Sequence, residues 1–118
     1  MIARIWRGVT KESKADEFFD YMLKTGVKDL RATEGNLGAL VLRHVDEGHA
    51  DFLLISLWKS LDHIRRFAGD DIDKAVYYSE DKKYLDKLEP KVVHYDVLVG
   101  LEQFVKDDET ACDSAAGT

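Results

Sequence analysis

The stretch Asp51-Phe-Leu-Leu-Ile-Ser-Leu-Trp-Lys-Ser60 decides the fold of this chain. In an extended strand, successive side chains point to opposite faces. One face carries Phe52, Leu54, Ser56 and Trp58, and the other carries Leu53, Ile55 and Leu57. Because both faces are apolar, we expect the strand to belong to a sheet that is covered on both sides.

Hydrophobic spacing predicts the other elements outward from this strand. Strands are expected at 2–9, 37–45 and 91–99, and residues 46–50 are expected to form a hairpin loop. One helix is expected from about Ala15 to a turn near residues 33–36, and a second helical region starts after Ser60 and continues in pieces through 72–76 and 84–88. The order strand, helix, strand, strand, helix, strand indicates an α+β, ferredoxin-like βαββαβ fold with an antiparallel sheet.

Length and composition place the chain among globular proteins with one domain. The 118 residues suffice for a single domain at 1–100, and the polar, small residues 101–118 are expected to form a partly disordered C-terminal tail.

The net charge of −6 argues against a nucleic-acid partner, and the interspersed charges leave no basic stripe for a membrane. No signal-peptide pattern and no membrane-length apolar run is found, so we expect a cytoplasmic location. The single cysteine, Cys112, excludes an intramolecular disulfide and lies among acidic residues, which do not favour a reactive thiolate.

The predicted sheet has more apolar surface than its helices can cover. Two helices cover one face, and the other face would expose Leu53, Ile55 and Leu57 together with Leu40 and Leu42. Apolar patches of this size usually mark an interface. We therefore expect a homodimer in which two such sheet faces meet across a two-fold axis. The alternative is that the C-terminal segment folds back over this face.

Common catalytic and cofactor motifs are absent from the sequence. It contains no glycine-rich phosphate loop, no G-x-S-x-G, no CxxC and no H-E-x-x-H. The four histidines, His44, His49, His63 and His94, are scattered and are better explained as structural residues than as metal ligands. Neither a cofactor nor a metal is therefore expected.

Aromatic and basic residues near the strand ends indicate a cleft for a small molecule. Trp58 ends the third strand, and Arg4 and Trp6 share one face of the first strand. Tyr77 and Tyr78 follow the second helical region. Rings with a few polar tips between helices and a sheet are typical of ligand pockets. The alternative is that these rings only fill the core or the interface.

Several segments resemble the antibiotic biosynthesis monooxygenase (ABM) domain family. They are the opening Ile2-Ala-Arg-Ile-Trp-Arg-Gly8, then Leu53-Leu-Ile-Ser-Leu-Trp-Lys-Ser60, Ile64-Arg-Arg-Phe-Ala-Gly69, Ala75-Val-Tyr-Tyr78 and His94-Tyr-Asp-Val97. The resemblance covers about residues 2–99. It implies a dimeric α/β barrel and an enzyme that oxidises a small aromatic or quinol-like substrate with dioxygen, without metal or flavin.

The resemblance also suggests which residues would form the site. Cofactor-free oxygenation needs a dry cleft, a group that accepts a proton and a group that stabilises an oxyanion. The candidates for catalysis are Arg4, Trp58, His63 and Tyr77, and those for substrate contact are Trp6, Phe67, Tyr78 and His94.

Two alternative functions follow from the same resemblance. The first is a non-catalytic barrel that binds a small apolar ligand in a stress-response or regulatory role. The second is haem binding, since some members degrade haem with an Asn, a Trp and a His. Only the Trp has a counterpart here, Trp58, and the first strand contains no Asn.

Overall fold

A four-stranded antiparallel sheet forms the centre of the molecule. The computed structural model describes residues 1–100, so the predicted tail at 101–118 lies outside the described residues. The strands are β1 (Ile2–Lys11), β2 (Asn36–Asp46), β3 (His49–Trp58) and β4 (Val93–Asp96). The helices are α1 (Ala15–Lys24), α2 (Gly26–Ala32), α3 (Leu61–Ala68) and α4 (Asp81–Tyr84), and a 3-10 turn at Glu12–Lys14 precedes α1.

The sheet topology confirms the predicted α+β, ferredoxin-like fold. The strand order is β2-β3-β1-β4, with every neighbouring pair antiparallel. The register places Arg4 of β1 opposite Ser56 of β3 on one side and opposite His94 of β4 on the other. Because directly opposed residues point to the same face, these three side chains lie together on the helix side of the sheet.

The helices bury one face of the sheet. In α1 the residues Ala15, Phe18 and Met22 recur at helical spacing and are buried with Phe52 of β3 in one core cluster. A second cluster joins Leu30, Trp58 and Ile64, which α2, β3 and α3 contribute. The faces predicted for β3 are therefore correct, since Phe52 and Trp58 lie with the helices.

The first helix differs from the prediction of one continuous helix. It breaks at Thr25, whose backbone leaves the helical region with φ −115 and ψ −94, and α2 starts anew at Gly26. The Thr25 hydroxyl donates to the carbonyl of Tyr21 at 2.8 Å, and Gly26 is a poor helix former. This local competition for hydrogen bonds interrupts the helix where the spacing of apolar residues alone suggested continuity.

The region after α3 is also less helical than predicted. Residues 72–76 form no helix, α4 ends at Tyr84, and β4 is shorter than the expected 91–99. Backbone hydrogen bonds instead join this segment to the residues just before β4. The Val92 N–H donates to Asp73 O at 2.8 Å, and the Ala75 N–H donates to Pro90 O at 3.0 Å. These long-range bonds occupy backbone groups that a local helix would need.

Much of the outer face of the sheet is apolar, although Arg7, opposite Leu53, forms an ion pair with Asp51 at one end. Leu40 and Leu42 are each 45% exposed, and on the other edge Val93 is 53% and Tyr95 56% exposed. Ile55 lies between them in the register, opposite Ile5 and Leu40.

None of the helices within residues 1–100 has the length and apolar character that crossing a membrane requires.

Two glycines allow a direct test of the packing between β2 and α3. Gly35 has φ +92, and a Cβ there would meet the His63 ring at 2.1 Å, whereas Gly48 has φ +80 with open space around it. We expect Gly35→Ala to lower the free energy of unfolding by about 3 kcal/mol and Gly48→Ala by only about 1 kcal/mol. Urea unfolding measures both, and equal losses would contradict the close contact with His63.

Candidate functional site

A cleft opens between the helices and the inner face of the sheet. Its lining is mostly apolar and comes from every layer of the fold: Arg4, Trp6, Phe18, Met22, Thr25, Gly26, Leu30, Leu54, Ser56, Phe67, Val76, Tyr78, Asp81 and Val92. The free volume is about 50 Å³, which is room for a few water molecules. A ligand larger than that must enlarge the cleft or extend through its mouth.

The buried cation of the cleft is Arg4. It is only 4% exposed, and its guanidinium donates to the carbonyls of Ile72 and Lys74. Its carbon Cζ lies 5.8 Å from the ring centre of Phe67, in the range of a cation–π contact. Burial lowers the pKa of Arg4 to about 10, although the charge of Asp73 partly offsets this, so the guanidinium is a cation at neutral pH.

His94 lies behind Arg4 and completes its surroundings. Its Nε2 is 3.1 Å from Arg4 Nη1, and its Nδ1 is 3.3 Å from Asp73 Oδ1. Arginine can only donate, so Nε2 must accept and the ring proton must be on Nδ1, facing the carboxylate. Burial, with the charge of Arg4, lowers the pKa of His94, which is consistent with this neutral form. The predicted substrate residue His94 therefore positions Arg4 and does not line the cleft.

The second ionisable group of the cleft, Asp81, was not predicted from the sequence. Asp81 is 6% exposed, and its Oδ2 accepts the backbone N–H of Tyr78 at 2.6 Å. Burial raises the pKa of the Asp81 carboxyl above its ordinary value, and the hydrogen bond from Tyr78 offsets this only in part. In the sequence it lies in the charged run Glu80-Asp81-Lys82-Lys83, which is typical of exposed surface. The available signal was the preceding apolar run Ala75-Val-Tyr-Tyr78, which indicates that this segment packs inward.

Tyr78 and Trp6 line the cleft as predicted, and Tyr77 lies next to it. The Tyr78 hydroxyl donates to Asp29 of α2 at 2.7 Å, and burial, followed by this bond, raises the pKa of Tyr78. The Tyr77 ring packs against Trp6 with ring centres 6.3 Å apart, but its hydroxyl donates to the carbonyl of Glu89. Burial raises the pKa of Tyr77 as well, so both phenols stay protonated at neutral pH.

Two further predicted catalytic residues, besides Tyr77, lie outside the cleft lining. Trp58 is fully buried, donates to Ser56 Oγ at 2.9 Å and packs against Phe67, so it supports the wall from behind. His63 is at the start of α3, where its Nδ1 is 2.7 Å from the capping hydroxyl of Ser60. The interpretation of Trp58 as a cleft residue is thus corrected: a Trp at a strand end can point into the core as readily as into a pocket.

The described residues contain no cluster of three or more His, Cys, Asp or Glu that could hold a metal ion. The cleft lining also includes no His or Cys. Its free volume of about 50 Å³ is far below the several hundred Å³ of a pocket for a large cofactor. A porphyrin does not fit this cleft as the structure has it.

Solved structures share this fold at low sequence identity. A "putative antibiotic biosynthesis monooxygenase" from Nitrosomonas europaea matches with a TM-score of 0.59 and 17% identity, over 84% of this chain and 100% of its own. Rv0793 from Mycobacterium tuberculosis matches with a TM-score of 0.57 and 16% identity, over 84% and 96%. A MhuD mutant with two manganese protoporphyrin IX bound per active site matches with a TM-score of 0.51 and 13% identity, over 86% and 98%.

These similarities establish the class of fold, which is the ferredoxin-like α+β fold of the structures named above. Identities this low do not carry an activity from one protein to another. No protein-family model matches the sequence, and no curated protein matches it significantly. The resemblance found in the sequence is therefore confirmed at the level of the fold.

The raised pKa of Asp81 predicts a stabilising substitution. Asp81→Asn keeps an acceptor for the Tyr78 N–H and removes the cost of burying a charge, so it should raise the free energy of unfolding at pH 7 by about 0.5–1 kcal/mol. Because the folded-state pKa is raised, this cost exists above it and vanishes below the unfolded-state pKa of about 3.9. Urea unfolding at neutral and at acidic pH checks both parts, with Glu80→Gln as the exposed control. A destabilised Asp81→Asn at neutral pH would contradict the prediction.

Proposed function

We propose that the protein is a cofactor-independent monooxygenase that oxidises a small aromatic or quinol-like molecule with dioxygen. The observation that carries this proposal is the buried guanidinium of Arg4 in an otherwise mostly apolar cleft. A buried cation attracts an anion far more strongly than an exposed one does. A phenolate is the anion that a phenol forms when its hydroxyl loses a proton, and it gives electrons to dioxygen more readily than the phenol does.

The lining supports aromatic recognition. Trp6, Phe18 and Phe67 present rings to the cleft, and Leu30 and Leu54 add aliphatic surface. Three of the five N–H donors of Arg4 have partners among the described residues, which leaves two for a ligand oxygen. The cleft therefore combines apolar contact with a fixed site for one negative charge.

The proposed reaction needs no external reductant. One atom of dioxygen replaces the hydrogen of a ring C–H bond and becomes a carbonyl oxygen. The other atom leaves as water with two hydrogens of the substrate. The phenol becomes a quinone, and the electrons that it loses equal those that dioxygen gains.

A non-catalytic role in binding a small apolar ligand is the second candidate. It is favoured by the hydrogen bonds of Tyr77 and His63, which commit two predicted catalytic residues to structural partners. Haem binding, suggested by the porphyrin in the MhuD structure, has less support because the cleft is small and lacks an imidazole or thiol ligand. A haem titration followed at the Soret band separates it from both other candidates.

The oxygenase proposal is tested by oxygen uptake with a panel of phenols and quinols. Arg4→Gln should lower kcat/KM by about a hundredfold, because it removes the charge that stabilises the phenolate. Arg4→Lys keeps a charge but loses the guanidinium fork, so its loss should be smaller. Arg31→Gln, on the exposed side of α2, is the matched control and should retain full activity. Absence of uptake with every compound, together with measurable ligand binding, would overturn the oxygenase and favour the binding role.

A homodimer through the outer face of the sheet is part of the same proposal. The exposed side chains Leu40, Leu42, Val93 and Tyr95 support it, since monomers rarely leave so much contiguous apolar surface in water. A two-fold contact between two such sheet faces would bury this surface. We also place the protein in the cytoplasm, on the basis of its single cysteine and ordinary soluble composition.

The homodimer predicts a molar mass in solution of twice the 13.4 kDa of the chain. Leu40→Lys should raise the dimer dissociation constant at least about tenfold, because each two-fold contact would bury two unpaired charges. Leu23→Lys is the control, since Leu23 is similarly exposed but lies on α1. Light scattering over a concentration series measures all three proteins, and a monomeric wild type would contradict the proposal.

A further inference from the structure

Two opposite charges line the same cleft without forming an ion pair. Arg4 and Asp81 are both more than nine-tenths buried, and both belong to the cleft lining. The ion pairs among the described residues include neither of them. Buried charges normally pair, because an isolated buried charge is costly. The separation of these two is therefore a feature that needs an explanation.

Each of the two charged groups is fixed by its own backbone partners. The guanidinium of Arg4 is fixed by the carbonyls of Ile72 and Lys74. The carboxylate of Asp81 is fixed through Oδ2 by the N–H of Tyr78, and no described donor bonds its Oδ1. Both residues line the cleft, so a molecule bound there can reach a hydrogen-bond acceptor and a cation.

Local structure does not account for the charge of Asp81. Its contact with the Tyr78 N–H closes a turn before α4, and an asparagine would accept the same hydrogen bond. Burial disfavours the charged form of Asp81, as its raised pKa indicates. Residues of this kind, destabilising and placed in a cleft, are characteristic of functional sites.

We propose that Asp81 is the proton acceptor of the cleft and that its ligand is a neutral molecule with an ionisable hydroxyl, a phenol or an enol. This inference rests on the proposed function of the cleft and defines its ligand class. The substrate O–H bond breaks, an O–H bond forms on the Asp81 carboxylate, and the electron pair stays on the substrate oxygen. Arg4 holds the resulting oxyanion, and His94 holds Arg4 in place.

The groups around Asp81 set the pH range of this transfer. Tyr78 contacts it from the same loop, and Arg4 is the cation of the cleft. Tyr21 of α1 accepts the N–H of the neighbouring Glu80 at 2.9 Å, and Asp29 of α2 accepts a hydrogen bond from the Tyr78 hydroxyl. The acceptor form of Asp81 thus exists above a pKa that burial raises, and it is lost as the pH falls through that value.

Binding of naphthol and of its methyl ether tests the proposal without any need for turnover. Both probes present the same rings, but only naphthol has a proton to donate to Asp81. Titration calorimetry at neutral pH should show that the wild type binds naphthol about tenfold more tightly than the ether, because a hydrogen bond to a charged acceptor is worth more than one to a neutral group. In Asp81→Asn the preference should fall at least threefold, while affinity for the ether stays unchanged.

Two further measurements keep the test decisive. The preference of the wild type for naphthol over its ether should decline as the pH falls through the Asp81 pKa. This measurement uses the wild type alone and so does not depend on whether a variant folds. Glu80→Gln removes a carboxylate one residue away, outside the cleft, and should keep the preference and its pH dependence.

The possible outcomes separate this inference from the proposed oxygenase. A preference that depends on Asp81, without oxygen uptake for any phenol, supports Asp81 as the acceptor and overturns the oxygenase. Equal affinity for naphthol and its ether in the wild type overturns the role of Asp81 while the cleft stands as an apolar site. Absence of binding for both probes overturns the inference and the proposed function together.

Discussion

The burial of Arg4 is the interaction on which the rest of the structure depends. A guanidinium removed from water must find acceptors for its donors, and this one finds them in the carbonyls of Ile72 and Lys74 and in the ring of His94. These contacts fix Ile72 and Lys74, in the segment after α3, against Arg4 of β1. Without them, residues 72–76 would be free to form the local turns that their sequence favours. The Arg4 guanidinium therefore holds the segment that packs over it.

The two faces of β3 serve different purposes in the same molecule. Leu54 and Ser56 line the cleft on the inner face, while Leu53, Ile55 and Leu57 belong to the outer face. A central strand that is apolar on both sides couples the geometry of the cleft to whatever covers the outer face. In the proposed homodimer the partner sheet would keep β1 and β3 rigid, and so would keep Arg4 in position in the cleft.

The sequence was sufficient for the fold because alternation and helical spacing act over many residues. The strand faces, the order of the elements along the chain and the placement of Arg4 and Trp6 on one face follow from that periodicity. The break at Thr25 was missed because it depends on one hydroxyl that competes for a backbone carbonyl. Trp58 and His63 were misplaced for a similar reason: the direction of a single side chain depends on neighbours such as Ser56 and Ser60, which periodicity does not specify. Asp81 could not be found by residue type, because its importance comes from burial that only the tertiary structure creates.

A crystal structure of the protein with bound naphthol tests the central claim most directly, because it locates the hydroxyl relative to both charges. We expect the rings to lie among Trp6, Phe67 and Leu54, with the naphthol oxygen within hydrogen-bond distance of the Asp81 carboxylate and facing Arg4. Naphthol bound with its hydroxyl toward solvent, or bound only outside this cleft, would show that Asp81 and Arg4 do not form the site together.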